Sequence, residues 1–343
     1  MYGIVPELKV GQKLGNGHFG EVFLGVDSVH GQVAIKVLSR KPQDTAPEWL
    51  RYKAGFLAEA QNLSKARHRN VVQVYHIEEL PDGNSIRFCM AYCPGGSLQS
   101  VYEIRPMRLL EVRKAGTEVC LGLGALHARG MLHRDIKPGN ILIDASGVAQ
   151  LGDFGLVTDN LILGYGSQAG YRDHIAYEVW LGNGTSIKTD IWALGMTLFR
   201  LLHGKVWYEA AVAPRYIVKD GGFSDTLQWL PHIPKAWRRV IRKMLNDDPV
   251  LRYQTADQVL NALSGLPTPS WETTVTSTVV RWEKILETRR KVVEWTQHSP
   301  RSHEWKSWSE PYGVPGRNKS LGGSNGKVSK GQVIKQLEDY FEI

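Results

Sequence analysis

Cysteine is scarce in this chain: Cys89, Cys93 and Cys120 are the only three among 343 residues. An odd, sparse set makes no disulfide framework and points to a reducing compartment. Long apolar runs are missing too. The most apolar segment, Ile191 to Leu202, is interrupted by Arg200 and is too short to span a bilayer. The opening MYGIVPELKVGQ has neither a basic start nor an apolar core, so no secretory signal is expected. Nor is one sign of charge dominant: 42 Lys plus Arg face 34 Asp plus Glu, a net +8. That excess suits a phosphate-bearing ligand and equally a merely solvated face. The absences together lead to the expectation of a cytoplasmic chain with no membrane association.

What is present changes character along the chain. Up to about residue 90 the sequence reads as strands with one helix between them. KLGNGHFGEVFLGV alternates around a glycine-rich turn, QVAIKVL is a second compact β-rich run, and residues 48–66 carry helical spacing. VVQVYHIEEL and SIRFCMAYC, parted by PDGN, read as a β-hairpin. After PGGS the pattern turns helical, in RLLEVRKAGTEVCLGLGALHARG, TDIWALGMTLFRLLHG and KAWRRVIRKML. A linker-like LPTPSWETT follows near Pro267. Beyond it TVVRWEKILETRRKVVEWTQ is expected to form a helix, and residues 313–331, rich in Gly, Ser and Lys, a flexible stretch. In the closing QVIKQLEDYFEI, Val333, Ile334, Leu337 and Phe341 fall on one helical face.

Gly15, Gly17 and Gly20 form G-x-G-x-x-G, with Val22 behind them. Alone the pattern is weak, because dinucleotide-binding turns and plain hairpins share it. Here the residues after Gly20 read as another strand, whereas a dinucleotide-binding turn leads into a helix. Strand, glycine turn and strand can lie over a nucleotide and bring backbone N–H groups to its phosphates. Lys36 ends VAIK on the next strand, within reach of α- and β-phosphates. A lysine in so apolar a strand needs a partner, and Glu59 on the following helix is the natural one. An exposed edge lysine and a solvated helix glutamate are the bland alternatives.

Residues 133–140, HRDIKPGN, hold Asp135, Lys137 and Asn140, and DFG follows at Asp153, Phe154 and Gly155. An amide oxygen and carboxylates are what a divalent metal on a nucleoside triphosphate requires. In this order the four motifs resemble the eukaryotic-like serine/threonine protein kinases, over about residues 8 to 264. The resemblance implies an α+β, bilobal protein-kinase fold. Its small β-rich N-lobe with one main helix would cover about 1–90, the hinge 91–96 and the larger helical C-lobe 97–266, with a C-terminal extension over 267–343. It also implies ATP with Mg2+, or Mn2+ in its place.

Carried over by position, Asp135 would orient the substrate hydroxyl and accept its proton, and Lys137 would neutralise the moving phosphoryl group. Asn140 and Asp153 would hold the metal, while Lys36 paired with Glu59 would anchor the α- and β-phosphates. Leu14, Val22, Ala34 and Leu142 match the positions around adenine. Met90 matches the gatekeeper, and Ala91 to Cys93 the hinge backbone. Asp190 in DIWALG matches a residue that ties down the catalytic loop, and Arg252 the buried partner of Glu178. Lysine two places after the catalytic aspartate favours Ser or Thr acceptors on a protein substrate.

The segment from Asp153 to Glu178 departs from the family. Ala176-Tyr177-Glu178 stands where A-P-E is usual, and Gly170-Tyr171 where Gly-Thr is usual, which puts substrate docking in question. Thr158 and Ser167 are candidate phosphosites, although Arg172 is the only Lys or Arg in the segment. Two rivals follow: a nucleotide-binding pseudokinase scaffold, and a kinase for a non-protein substrate. Cys93 at the hinge reads as a small packed residue rather than a redox group. The short lead before the first strand carries the expectation of no N-terminal regulatory domain. Residues 267–343 match nothing in the family and hold Trp271, Trp282, Trp295, Trp305 and Trp308. They are expected to pack on the C-lobe, with capture of a protein partner through the tryptophans as the second reading. Nucleic acid is the third, disfavoured because 12 Lys plus Arg there face 9 Asp plus Glu.

Overall fold

A computed structural model describes residues 7–17, 20–65, 67–152 and 172–342, without the side chains of 16–17 and 58–65. The first sheet is antiparallel. It joins β1 (Leu8–Gly17), β2 (Gly20–Asp27), β3 (Gly31–Ser39), β4 (Val74–Glu79) and β5 (Ser85–Ala91) in the order β1-β2-β3-β5-β4. Alternation along β3 decides what each face does. Val33, Ile35 and Val37 lie on one side with Cys89, Phe23 and Tyr75, as a small outer core. Ala34, Lys36 and Leu38 fall on the other side, where register sets Met90 beside Ala34 and Phe88 beside Lys36. Helix α1 (Ala46–Lys65) crosses between β3 and β4. This half, and the hairpin of β4 and β5, form as the sequence pattern predicts.

The helical half is built on α2 (Leu98–Ile104), α3 (Leu109–His127), α4 (Tyr177–Trp180), α5 (Ile187–Glu209), α6 (Lys235–Met244) and α7 (Ala256–Ser264). A short hairpin of β6 (Ile141–Ile143) and β7 (Ala149–Leu151) lies between α3 and α4. In α3, Leu109, Val112, Val119, Leu123 and Leu126 are buried at helical spacing. Helix α5 is buried on nearly every face, because α2, α3 and α6 all pack around it. It kinks at Gly204, whose φ of 68° suits glycine, and a Cβ there would sit 2.7 Å from the backbone nitrogen of Pro106.

The C-terminal region corrects two expectations. Residues 279–297 are not a helix but β9 (Val279–Leu286) and β10 (Arg289–Ser299), antiparallel partners with Arg289 opposite Leu286. The connection is Glu287-Thr288, with Glu287 at φ 40°, so the turn lacks the Asn-Gly or Gly signal that marks such hairpins. The strand signal was the alternate burial of Val280 and Trp282. With β8 (Glu272–Val275), β11 (Ser302–Pro311) and β12 (Lys319–Gly323) they make a second sheet, ordered β12-β11-β10-β9-β8. The stretch 313–331, expected to be flexible, holds edge strand β12 and the Val328–His303 bridge. Near its end Ser329 caps α8 (Lys330–Phe341) in a box with Gln332, so residues 330–331 are already helical.

This region packs on the helical lobe, as the first of the three readings expected. Trp229 and Trp237 of the lobe share one continuous core with Trp282, Trp295, Val333 and Leu337. Trp207 meets Trp295 edge to face at 6.0 Å, and the Trp237 indole donates to the Pro267 carbonyl at 2.8 Å. Trp271, Trp282, Trp295 and Trp305 are buried, which leaves only Trp308 of the five partly exposed.

Candidate functional site

The loop carrying Asp135 is fixed from beneath by helix α5. Asp190, in the first turn of α5 and 1% exposed, accepts backbone N–H bonds from His133 (2.9 Å) and Arg134 (2.8 Å). The same carboxylate meets His127 Nε2 at 2.8 Å. These bonds hold Arg134 at φ 67°, a left-handed conformation that costs a non-glycine residue about 1–3 kcal/mol. His133 is fully buried. Its Nδ1 accepts the Asp135 N–H at 3.3 Å, so the proton sits on Nε2, which faces the Gly152 carbonyl at 3.2 Å. A neutral imidazole thereby joins the catalytic loop to the strand leading toward residue 153. Thr197 of α5 adds a bond to the Ile136 carbonyl at 3.2 Å.

The three motif side chains converge on this loop. Lys137 Nζ donates to Asp135 Oδ2 at 2.8 Å, and Asn140 Nδ2 reaches the same oxygen at 2.7 Å and the Asp135 carbonyl at 2.8 Å. Asn140 sits in the 3-10 turn Pro138–Asn140, and its own carbonyl accepts the Gly152 N–H at 2.9 Å. A carboxylate oriented by an ammonium and an amide is placed to accept a proton from a hydroxyl. Asp153, Thr158, Ser167, Gly170 and Tyr171 lie outside the described residues.

The first sheet carries the positions expected to face a nucleotide. Gly15 on β1 faces Val22 on β2, Val22 faces Lys36, and Ala34 faces Met90. Lys36 is 5% exposed, and Glu59 lies on α1 with its side chain outside the description. The glycines serve different needs. A Cβ on Gly20 would come 2.0 Å from the Val37 carbonyl oxygen, so the close approach of two strands requires that glycine. A Cβ on Gly15 would meet nothing within 4 Å among the described residues, so no strand contact there requires glycine, and Gly17 follows on the same strand. Leu14 beside it is 42% exposed.

The strand β6 is pinned to residues 95–97. Gly95 N–H bonds the Ile143 carbonyl (3.0 Å), Ile143 N–H bonds the Gly96 carbonyl (2.8 Å), and Leu142 bridges Ser97. Ala91 is held by its N–H bond to the Gln73 carbonyl at 2.9 Å. Leu142 is half-buried and lies beside Ser97, just past the segment that runs from Met90 through Cys93. Burial, helped by Asp144, pushes the Cys93 thiol up to about 11, so it stays protonated, as a packed residue would.

Two polar groups beneath the site were not read from the sequence. Arg200 of α5 donates to His174 Nε2 at 2.8 Å and lies over the rings of Tyr102 and Tyr208 at 4.5 and 5.0 Å. Burial first, then the charges of Arg200 and Lys137, hold His174 well below the usual imidazole range. Asp173 accepts from Tyr208 and Arg215, each at 3.3 Å. The only signal was polar density in YRDHIAYE, which does not reveal partners 26 to 42 residues away. The buried pair Arg252–Glu178 does form, bidentate at 2.7 and 2.6 Å.

A family profile described as the protein kinase domain matches residues 8–263. The serine/threonine-protein kinase PrkC of Bacillus subtilis is 30% identical over 253 residues, covering 72% of this chain and 38% of that protein. The serine/threonine-protein kinase ssp1 of Schizosaccharomyces pombe is 29% identical over 301 residues, 79% of this chain and 45% of that protein. The hormonally up-regulated neu tumor-associated kinase homolog A of Xenopus laevis is 31% identical over 250 residues, 71% and 36% respectively. The chain therefore spans less than half the length of each of these relatives. Among the described residues no helix is long and apolar enough to cross a membrane. ATP, a divalent metal and a protein substrate are the general requirements of the matched family. Sheet lobe, helical lobe and an aspartate flanked by lysine and asparagine coincide with the matched span, and this chain belongs to the protein kinase family.

Proposed function

We propose that the chain is a serine/threonine protein kinase that moves the γ-phosphoryl group of ATP to Ser or Thr hydroxyls of a protein substrate, itself included. The observation that carries this reading is the convergence of Lys137 and Asn140 on one oxygen of Asp135. Asp135 orients the acceptor hydroxyl and takes its proton as the oxygen attacks. Lys137, already beside that carboxylate, offsets the charge of the phosphoryl group between donor and acceptor. Asn140 and Asp153 would hold Mg2+, or Mn2+ in its place, which would supply charge neutralisation at the phosphates. Lys36, held by Glu59, anchors the α- and β-phosphates under Gly15, Gly17 and Gly20. Leu14, Val22, Ala34 and Leu142 enclose the adenine, Met90 closes its back, and the backbone of Ala91 and Cys93 reads its edge.

Residues 1–266 are assigned to the kinase domain, with the hinge at 91–96, and residues 267–343 to an extension whose work is structural. A protein partner of that extension has only Trp308 among its tryptophans to grip. Three free, buried cysteines suit a cytoplasmic setting. The test is transfer of labelled γ-phosphate from ATP with Mg2+, comparing wild type with Asp135→Ala, followed by phosphosite mapping. Label on Ser or Thr that disappears in the variant supports the reading, and sites at Thr158 or Ser167 add control of the loop by phosphate. ATP binding with no transfer to any protein overturns it in favour of a scaffold, and transfer only to a small molecule in favour of a non-protein substrate.

A further inference from the structure

On the outer face of the first sheet, turned away from Lys36 and Met90, three strands bring three metal-binding side chains together. Asp27 ends β2, His76 lies in β4 and Cys89 in β5, and one ligand atom from each falls within 4.8 Å of the other two. Cys89 is fully buried, Asp27 is 1% exposed and His76 is half-buried, which leaves a path for an ion from solvent. Strand β3 passes between β2 and β5, and Val33 and Ile35 supply the apolar wall there.

The two oxygens of Asp27 are treated unequally. Oδ1 accepts the backbone N–H of Val29 (2.9 Å) and of His30 (2.8 Å) and meets His30 Nδ1 at 2.9 Å. Oδ2 is buried and meets no donor among the described residues. A buried carboxylate oxygen left without a partner is costly, and the polar groups within its reach are a thiol and an imidazole. We propose that Asp27 Oδ2, His76 and Cys89 Sγ form a Zn2+ site that clips β2, β4 and β5 together.

The dimensions agree. Three atoms 4.8 Å apart enclose a point about 2.8 Å from each, and an inward shift of under about 1 Å brings them to the ~2.0–2.3 Å of zinc–ligand bonds. Thiolate, imidazole and one carboxylate select Zn2+ over the hard, oxygen-seeking Mg2+ or Ca2+, so this site does not compete with a nucleotide-bound ion. His30 acts as a positioning residue. Its ring and backbone fix Oδ1, which aims Oδ2 inward, and its imidazole stacks on Tyr75 at 3.9 Å, next to His76. On binding, a Zn–S bond forms and the Cys89 proton leaves to solvent. Three protein ligands leave the fourth position to water.

The test uses the full chain, stripped with a chelator and titrated with Co2+ and then Zn2+ in excess Mg2+. One Co2+ should bind with a thiolate-to-metal charge-transfer band, and Zn2+ should displace it. Cys89→Ser should abolish the band, while Cys120→Ser, whose thiol lies in α3, should keep it. Because a buried substitution can disturb folding, the half-buried His76 gives an independent arm. His76→Asn should weaken Zn2+ binding about 100-fold or more and remove the rise in melting temperature that Zn2+ gives wild type. A band that never forms, a band that survives Cys89→Ser, or a Zn2+ affinity unchanged in His76→Asn would each overturn the site.

Discussion

The catalytic loop and the C-terminal sheet are clamped to the same helical lobe by different means. The loop hangs on directional bonds: two amides and an imidazole on Asp190, one hydroxyl on Ile136, and a neutral His133 between Asp135 and Gly152. The sheet is held mostly by area, with Trp282, Trp295 and Trp305, and Leu337 of the adjoining α8, buried in the same core as Trp229 and Trp237. Directional bonds place atoms to a fraction of an ångström, which phosphoryl transfer requires. Area stabilises without demanding one arrangement. The loop therefore serves geometry and the sheet serves stability, and substitutions in the two should be separable.

Asp135→Asn is the strongest attempt to break that division. It keeps the side chain's shape and removes its basicity, and kcat should fall about 10²–10⁴-fold while the melting temperature stays put. A large loss of stability would show that the loop also supports the fold. Trp282→Ala is the mirror experiment. Its indole is fully buried against Phe341 at 5.1 Å and His232 at 5.9 Å, and truncation should cost about 3–5 kcal/mol in urea unfolding. Activity per folded molecule should not change. If kcat collapsed first, the extension would be setting the geometry of the site.

The same contrast explains what was legible from the residues alone. Phosphate chemistry constrains residue type at fixed offsets, so Asp135, Lys137, Asn140 and Lys36 stand out, and the register of β2, β3 and β5 follows from alternation. Asp190 and Arg252 were reached through the family pattern, and both make the bonds it implied. Area leaves no comparable trace. Residues 279–297 carry charges at offsets that suit a helix, adjacent Val292-Val293 blurs the two-residue period, and Glu287-Thr288 hides the turn. Pairs such as Arg200–His174 and Asp173–Arg215 exist only once distant segments meet. The Asp27–His76–Cys89 group was invisible for the same reason, being split among three strands.

Acid sharpens the comparison further. Burial holds His203 and His232 at about 3, against an ordinary value near 6.5. Their neutral forms accept bonds: His203 Nε2 from Leu230 N–H, with Nδ1 donating to the Phe199 carbonyl, and His232 Nε2 beside the Thr273 hydroxyl. The unfolded chain binds these protons more readily, so the stability they contribute is complete above about pH 6.5 and is lost as pH falls toward 3. Between pH 6.5 and 5.5 the pair should cost about 2 kcal/mol. Urea midpoints across that range would measure the slope, and His232→Gln should reduce it by about half. His174 shifts in the same direction on the catalytic side, so a slope unaltered by His232→Gln would assign the acid sensitivity to His203 and His174 instead.

The smallest effect should come from one of the two ion pairs that join α8 of the extension to α6 of the lobe, Glu338 with Arg238. Both side chains keep some solvent, at 26% and 12% exposure, so screening reduces their attraction. Arg238 also donates to the carbonyls of Ile233 (2.8 Å) and Pro231 (3.2 Å), so removing the carboxylate does not strand the guanidinium. Glu338→Gln should therefore cost no more than about 1 kcal/mol in urea unfolding, and less in high salt. A loss matching that of Trp282→Ala would mean that charge rather than buried aromatic area holds the extension down. The division between a directional loop and an area-held sheet would then fail at its own interface.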